Sequence, residues 1–284
     1  MGKKTEPFIL TEGNYFSREA SENFFGHSEL VSATECMVKA LTETLGEGEE
    51  SKDYYIQGSY FDALICGERE SFEEAHPELW QTSKKTPTLY AKYQQILDAY
   101  ERVMQDPVMV KYSQGEHQTV YTGYITGAYS GKQYPVKVKP DGLIMDDKTG
   151  KPKLVVDYKC LKDLDRIWSD AYGEKVHPAL ARGYDVQAWM YRKVIAEHYG
   201  MKPKELPFIL FIATKEKPAN LALLQFHEGD IMAAGDRVEH MIDEYASAKR
   251  AYIETGQLPE GCGRDSCPIC RARKQIKGID WIEK

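Results

Sequence analysis

The chain has 284 residues, 42% of them hydrophobic and 29% charged, an ordinary globular balance with enough length to bury a core. A net charge of −7 speaks against broad, non-specific coating of nucleic acid, although it leaves room for a local basic patch or a channel formed on oligomerisation. No run approaches the ~18 apolar residues of a membrane span, and the opening MGKKTEPFIL carries no apolar signal region, so a cytoplasmic protein without a membrane partner is expected.

Residues 22–45 read as a short helix, followed by the polar, turn-like TLGEGEESKD. Tyr60, Phe61, Leu64 and Ile65 stand at helical spacing, which predicts a helix over about 57–68, and 69–86 reads as a loop. Thr86-Pro87 has the form of a helix start, with Thr as N-cap and Pro at the first position. Leu89, Tyr93, Ile96, Tyr100 and Val103 then line one helical face, which Asp106-Pro107 should end. From Gln114 the period changes. HQTVYTGYITGAY, QYPVKVKPDGLIMD and PKLVVDYKCL are rich in β-branched and aromatic residues and are separated by turn signals, which predicts a meander of three or four strands. Residues 178–199 return to helix, PFILFIAT is a continuous apolar run suited to a buried central strand, NLALLQFHE is another strand, and 230–255 form a long amphipathic helix ending near Gly256. This order suits an α/β core with helices on both faces of a sheet. No linker forces a second domain.

The chemistry concentrates in KPDGLI and LVVDYKCL. Asp141 closes one predicted strand, and Asp157 closes a second, sixteen positions later, with Lys159 two residues beyond. A hairpin turning near DDKTGK would set the strand ends side by side, and alternation points Asp157 and Lys159 to one face. Two carboxylates and an ammonium around one point suit phosphodiester hydrolysis. Hard oxygen ligands, the Tyr158 carbonyl among them, hold Mg²⁺; the ion acidifies water; Lys159 orients that water or stabilises the developing oxyanion. An Asp…Asp-x-Lys pattern by itself is common on protein surfaces; here the apolar Val155-Val156 before Asp157 puts the carboxylate at a core strand. On the next helix Gln187 and Tyr191 share a face at i and i+4.

PDG…VVDYK followed by Q-x-x-x-Y resembles the RecB-like branch of the PD-(D/E)xK nuclease superfamily, and within it the phage and prophage exonucleases of the RecE (exonuclease VIII) type. The resemblance spans roughly residues 25–275. It implies a restriction-endonuclease-like α/β core with a central mixed sheet. The whole chain, 1–284, would be one nuclease domain, with an N-terminal helical segment over about 8–70 and a cysteine-containing tail over about 257–284. Asp141 and Asp157 would bind Mg²⁺ or Mn²⁺, Lys159 would serve catalysis, and Gln187 and Tyr191 would buttress the site or contact DNA. Glu116 would supply the carboxylate usual on the preceding strand. The family commonly has a His on an early helix in G-T-x-x-H-x-L; here GSYFDAL has Asp62 at that place. The implied activity is exonucleolysis of double-stranded DNA ends, with a single-strand annealing protein as partner and a ring-shaped homo-oligomer as assembly. A CRISPR-adaptation nuclease of the same branch, or a DNA-binding scaffold whose site has decayed, would share these motifs.

Cys262, Cys267 and Cys270 fall within nine residues. Three thiolates so spaced converge readily on one metal, and a fourth completes a zinc site or an iron–sulfur cluster. Several RecB-like nucleases hold a [4Fe–4S] cluster with one cysteine far upstream and three near the C-terminus. Cys36 matches that upstream place, Cys66 is its rival, and zinc is the alternative metal. No HExxH motif, P-loop or GxSxG elbow occurs. Trp168 and Tyr172, following the Asp157 strand, could stack on an unpaired base, and Arg271, Arg273, Lys274 and Lys277 form a basic tail.

Overall fold

The computed structural model describes residues 8–46, 53–81 and 86–275; Lys277 and most of the predicted turn at 44–53 lie outside them. Helices α1 (Arg18–Asn23), α2 (His27–Glu35), α3 (Met37–Leu45), α4 (Asp53–Ile65) and α5 (Arg69–Ala75) come first. The helix expected over 22–45 is therefore three, and the loop expected over 69–86 contains α5. One of the breaks falls at Cys36, whose extended backbone ends α2 and begins α3.

Short strands β1 (Trp80–Gln81) and β2 (Thr88–Leu89) pair antiparallel, so Thr86-Pro87 does not begin a helix. The helix α6 (Ala91–Met104) starts only after Tyr90, whose N–H is already bonded to the Leu79 carbonyl. Its predicted apolar face is buried at Tyr93, Ile96 and Val103. Asp106 then caps α7 (Pro107–Tyr112), accepting from the N–H groups of Val108 and Met109 at 2.9 and 3.1 Å.

The predicted meander divides in two. β3 (Tyr121–Thr126) and β4 (Gln133–Val138) form a separate hairpin, while β5 (Gly142–Met145) and β6 (Pro152–Leu161) belong to the central sheet. β4 does not reach the outer edge of β5 because Glu116 occupies it, exchanging both backbone hydrogen bonds with Leu143. Beyond β6 come a hairpin of β7 (Ile167–Ser169) and β8 (Glu174–Val176), α8 (Pro178–Ala181), α9 (Tyr184–His198), β9 (Phe208–Thr214), β10 (Leu221–Leu224), α10 (Glu228–Thr255) and α11 (Pro268–Arg273).

The central sheet has the order β10-β9-β6-β5, with β6 and β9 parallel and both outer pairs antiparallel. All seven residues of β9 are buried, as an inner strand covered on both faces requires. Phe208, Leu210, Ile212 and Val155 face one core with residues of α2, α3, α9 and α10, whereas Ile209, Phe211, Ala213, Val156 and Tyr158 face a second core with residues of α4, α6 and α7. This is a mixed sheet with helices on both sides. A parallel neighbour also needs a long crossover, here supplied by the segment carrying α9, and that returns Gln187 and Tyr191 to the sheet. Among the described residues no helix is long and apolar enough to cross a membrane.

Candidate active site

Asp141 lies immediately before β5, and Asp157 lies within β6. Neither ends a strand: β6 runs on through Lys159 because its parallel ladder with β9 continues to Leu161 opposite Thr214. The β5–β6 register, Gly142 opposite Val156, still sets Asp141 beside Asp157. The Tyr158 N–H donates to Asp141 Oδ2 at 2.8 Å, fixing the first carboxylate against the second strand. Lys159 Nζ stands 4.0 Å from Asp141 Oδ2, in direct contact with Asp157 Oδ2, and 3.2 Å from the Tyr158 carbonyl oxygen, to which it donates. The ring of Tyr184, the first residue of α9, packs with its centroid 5.1 Å from the same ammonium.

Asp157 is only 1% exposed. The Gln187 amide donates to its Oδ1 at 2.5 Å, while Oδ2 is paired with the Lys159 ammonium. Burial is the largest influence on this carboxyl and, with repulsion from Asp141, raises its pKa to about 7 against the attraction of Lys159. Desolvation and then repulsion from Asp141 hold the Asp62 carboxyl, on α4, well above the usual range. Burial draws the Lys159 ammonium down, but Asp157 and Asp141 more than offset it and keep the group firmly protonated. Three carboxyls thus repel one another around one lysine. Such oxygen donors suit a hard divalent cation, which would relieve the repulsion.

Tyr191, one turn beyond Gln187, donates to the Lys139 carbonyl oxygen at 3.2 Å and lies 3.3 Å from His27 Nδ1. The structure thereby brings together Asp62, Asp141, Asp157, Tyr158, Lys159, Gln187 and Tyr191. It does not bring in Glu116. That side chain is exposed, its backbone is spent on Leu143, and its neighbours reach Asp141 instead: His117 Nδ1 lies 2.8 Å from the Asp141 carbonyl oxygen, and the Gln118 amide donates to Oδ1 at 3.5 Å. Sequence reasoning missed His27, Tyr184 and Gln118. His27 is half-buried, and desolvation followed by the Lys159 charge pushes its pKa down to about 3; no local spacing links it to the acidic strands. Gln118 offers no signal either, since its left-handed backbone, φ 60°, becomes visible only in three dimensions.

At the other end of the chain Cys36, Cys262, Cys267 and Cys270 place their sulfurs within 4.8 Å of one another. Cys36 and Cys262 approach Cys270 at 3.5 and 3.7 Å. Cys66 stands apart, near Asp62 and Asp141, where burial and those carboxylates raise its thiol to about 12. Burial works against ionisation of Cys262, but bonds from the Arg264 backbone and guanidinium outweigh it and bring that thiol to about 6. A Cβ on Gly261 would stand 2.6 Å from the Cys270 sulfur, so the close approach of the loop requires glycine.

A mixed sheet between helical layers, with an acidic pair and a lysine on two adjacent strands, is the restriction-endonuclease-like arrangement. Residues 26–273 match the family described as the PDDEXK-like domain of unknown function (DUF3799), and the chain belongs to that family. It is similar to a putative exonuclease from Eubacterium rectale, whose crystal structure aligns with a TM-score of 0.78 and 23% identity over 97% of both chains, a likeness of fold. The crystal structure of SSO0001 aligns over 80% of this chain and 82% of that one with 15% identity and a TM-score of only 0.35, too low to inform the fold. No curated protein matches. Family and fold support a nuclease, and nucleases of this class generally use divalent metal ions.

Proposed function

We propose that the protein is a DNA exonuclease of the RecE type, dependent on Mg²⁺ or Mn²⁺ and acting on double-stranded ends. The observation that carries this reading is the buried Asp157 carboxylate, ion-paired through Oδ2 with Lys159 and set beside Asp141. Asp62, Asp141, Asp157 and the Tyr158 carbonyl would hold the ion, which when bound supplies an acidified water and neutralises charge on the phosphate. Lys159, kept protonated by its carboxylates, orients the attacking water or steadies the oxyanion. Gln187 fixes the Asp157 carboxylate by its single amide bond, and Tyr191 holds the backbone at Lys139, two residues before Asp141. The Tyr184 ring packs beside the Lys159 ammonium.

The cysteine quartet is proposed as a structural metal site. Family resemblance favours [4Fe–4S]. The compact sulfurs favour zinc, since four thiolates about 2.3 Å from one ion stand some ~3.8 Å apart, close to the 3.5 and 3.7 Å separations here, and a cubane holds its thiolates farther apart. Metal analysis and the visible spectrum of anaerobically purified protein separate the two. A single-strand annealing partner and a ring-shaped oligomer belong to this reading.

The test is digestion of linear and circular duplex DNA with Mg²⁺ or Mn²⁺ by the native protein and by Lys159→Ala. Linear DNA should disappear with the native protein only, with the variant slowed at least about 100-fold. Equal inertness of both proteins would leave a DNA-binding scaffold, and equal attack on circles would make the enzyme an endonuclease.

A further inference from the structure

Beside the acidic cluster stands a group of side chains that the mechanism above does not use. Tyr15 is buried, with its hydroxyl donating to the Lys137 carbonyl oxygen at 3.3 Å and its own carbonyl accepting from Lys137 Nζ at 2.5 Å. Ser17, which accepts from the Ala20 N–H at 3.1 Å, caps α1 immediately afterwards. Between these two anchored residues Phe16 is 80% exposed. The segment is thus held in place while its aromatic ring is displayed.

Lys139 Nζ lies 4.9 Å from the Phe16 ring centroid and 5.5 Å from that of Tyr15. It forms no ion pair among the described residues. Its location is close to the site on two counts: the chain reaches Asp141 two residues later, and its charge acts on Asp62, as that of Asp141 acts on Tyr15. A cation without a carboxylate partner and an aromatic ring with an open face therefore sit together beside the carboxylates. An exposed phenyl ring gains little from one ammonium, about 0.5–1 kcal/mol, which alone does not account for displaying it. Phosphate and nucleobase are the two ligand parts that such a pair accepts together.

We propose that Phe16 and Lys139 form a subsite for an unpaired nucleotide next to the scissile phosphate, with Lys139 taking a phosphate oxygen and the free face of Phe16 stacking on the base. A base inside a duplex has both faces covered by its neighbours, so the subsite selects a frayed or single-stranded end. The inference rests on the nuclease reading for its substrate, yet its test needs no cleavage.

Binding of a fluorescently labelled oligothymidylate is measured by anisotropy without added divalent metal. The native protein is compared with Phe16→Ala, Lys139→Gln and a control at an exposed tyrosine of the β3–β4 turn, Tyr129→Ala. Phe16→Ala should weaken binding about 5- to 150-fold, the range for loss of one stacked base. Lys139→Gln should reduce the slope of log affinity against log salt by about 0.7, one phosphate contact. Tyr129→Ala should bind like the native protein, and unchanged melting temperatures show that the variants fold. If the native protein does not bind the probe, or Phe16→Ala binds it as tightly, the subsite is refuted. Loss of binding in Phe16→Ala together with equal inertness of native and Lys159→Ala proteins on DNA would refute the nuclease reading alone.

Discussion

The Asp157 carboxylate depends on a side chain thirty positions away, because Gln187 supplies the hydrogen bond to Oδ1 and α9 is what delivers it. Removing a partner behind a metal-binding carboxylate typically costs 10- to 100-fold in metal affinity or activity. Gln187→Ala should therefore raise the Mg²⁺ concentration for half-maximal digestion by about 10- to 100-fold, measured by titrating the metal at fixed DNA. His27 makes a different prediction. Its pKa, driven by burial and by Lys159 down to about 3 from an ordinary 6.5, means that the unfolded chain takes up the proton first as pH falls. Its contribution to stability is full above pH 6.5 and is lost progressively between there and pH 3. In His27→Phe the dependence of unfolding free energy on pH over that window should fall by about one proton, or about 1.4 kcal/mol per pH unit. Urea unfolding at several pH values reads it, and an unchanged slope would contradict a His27 imidazole kept neutral by its folded surroundings.

At the scale of elements the decisive feature is the break between α8 and α9. Gly183 has φ +70°, and a Cβ there would stand 2.5 Å from Val31 on α2, so the turn requires both the left-handed backbone and the missing side chain. The break starts α9 at Tyr184 and sets Gln187 over Asp157. Gly183→Ala should destabilise the protein by about 1–3 kcal/mol and lower activity with it, as chemical denaturation and the digestion assay would show together. The strands and long helices were legible because their periods are local: β9 as a continuous apolar run, α6 and α10 as striped faces. The short helices were not. α2 and α3 read as one helix since the extended residue at Cys36 carries no glycine or proline to mark it, whereas the break before α2 does carry one, Gly26, and α5 has no buried residue to give it a stripe. Likewise β1 and β2 exist only as each other's partners.

For the whole molecule, the cysteine quartet ties the α2–α3 junction to the C-terminal segment across a separation of 234 residues between Cys36 and Cys270. A metal held by these four thiols would close so long a loop that it restricts the unfolded chain strongly, by about 2–4 kcal/mol on the scale of measured disulfides. Stripping the metal with a chelator, or Cys36→Ser, should lower the melting temperature by roughly 5–10 °C, read by calorimetry alongside metal content. If a metal-free protein melts at the native temperature, the quartet is not a structural metal site.

By itself the sequence put Asp157 and Lys159 on one strand face and Gln187 and Tyr191 on one helix face, because strand alternation and helical spacing are repeated within a few residues; that these belong together with Asp141 at one site is what the family resemblance implied. It also offered Cys36 with the three late cysteines, through their spacing and the resemblance. Only the tertiary structure decided which distant groups close around that core. Glu116 was turned outward by its backbone pairing with β5, and His27, Tyr184 and Gln118 were brought in by helix packing and an unusual turn. Contacts across tens or hundreds of residues are set by how sheets and helices stack, and no local period records that.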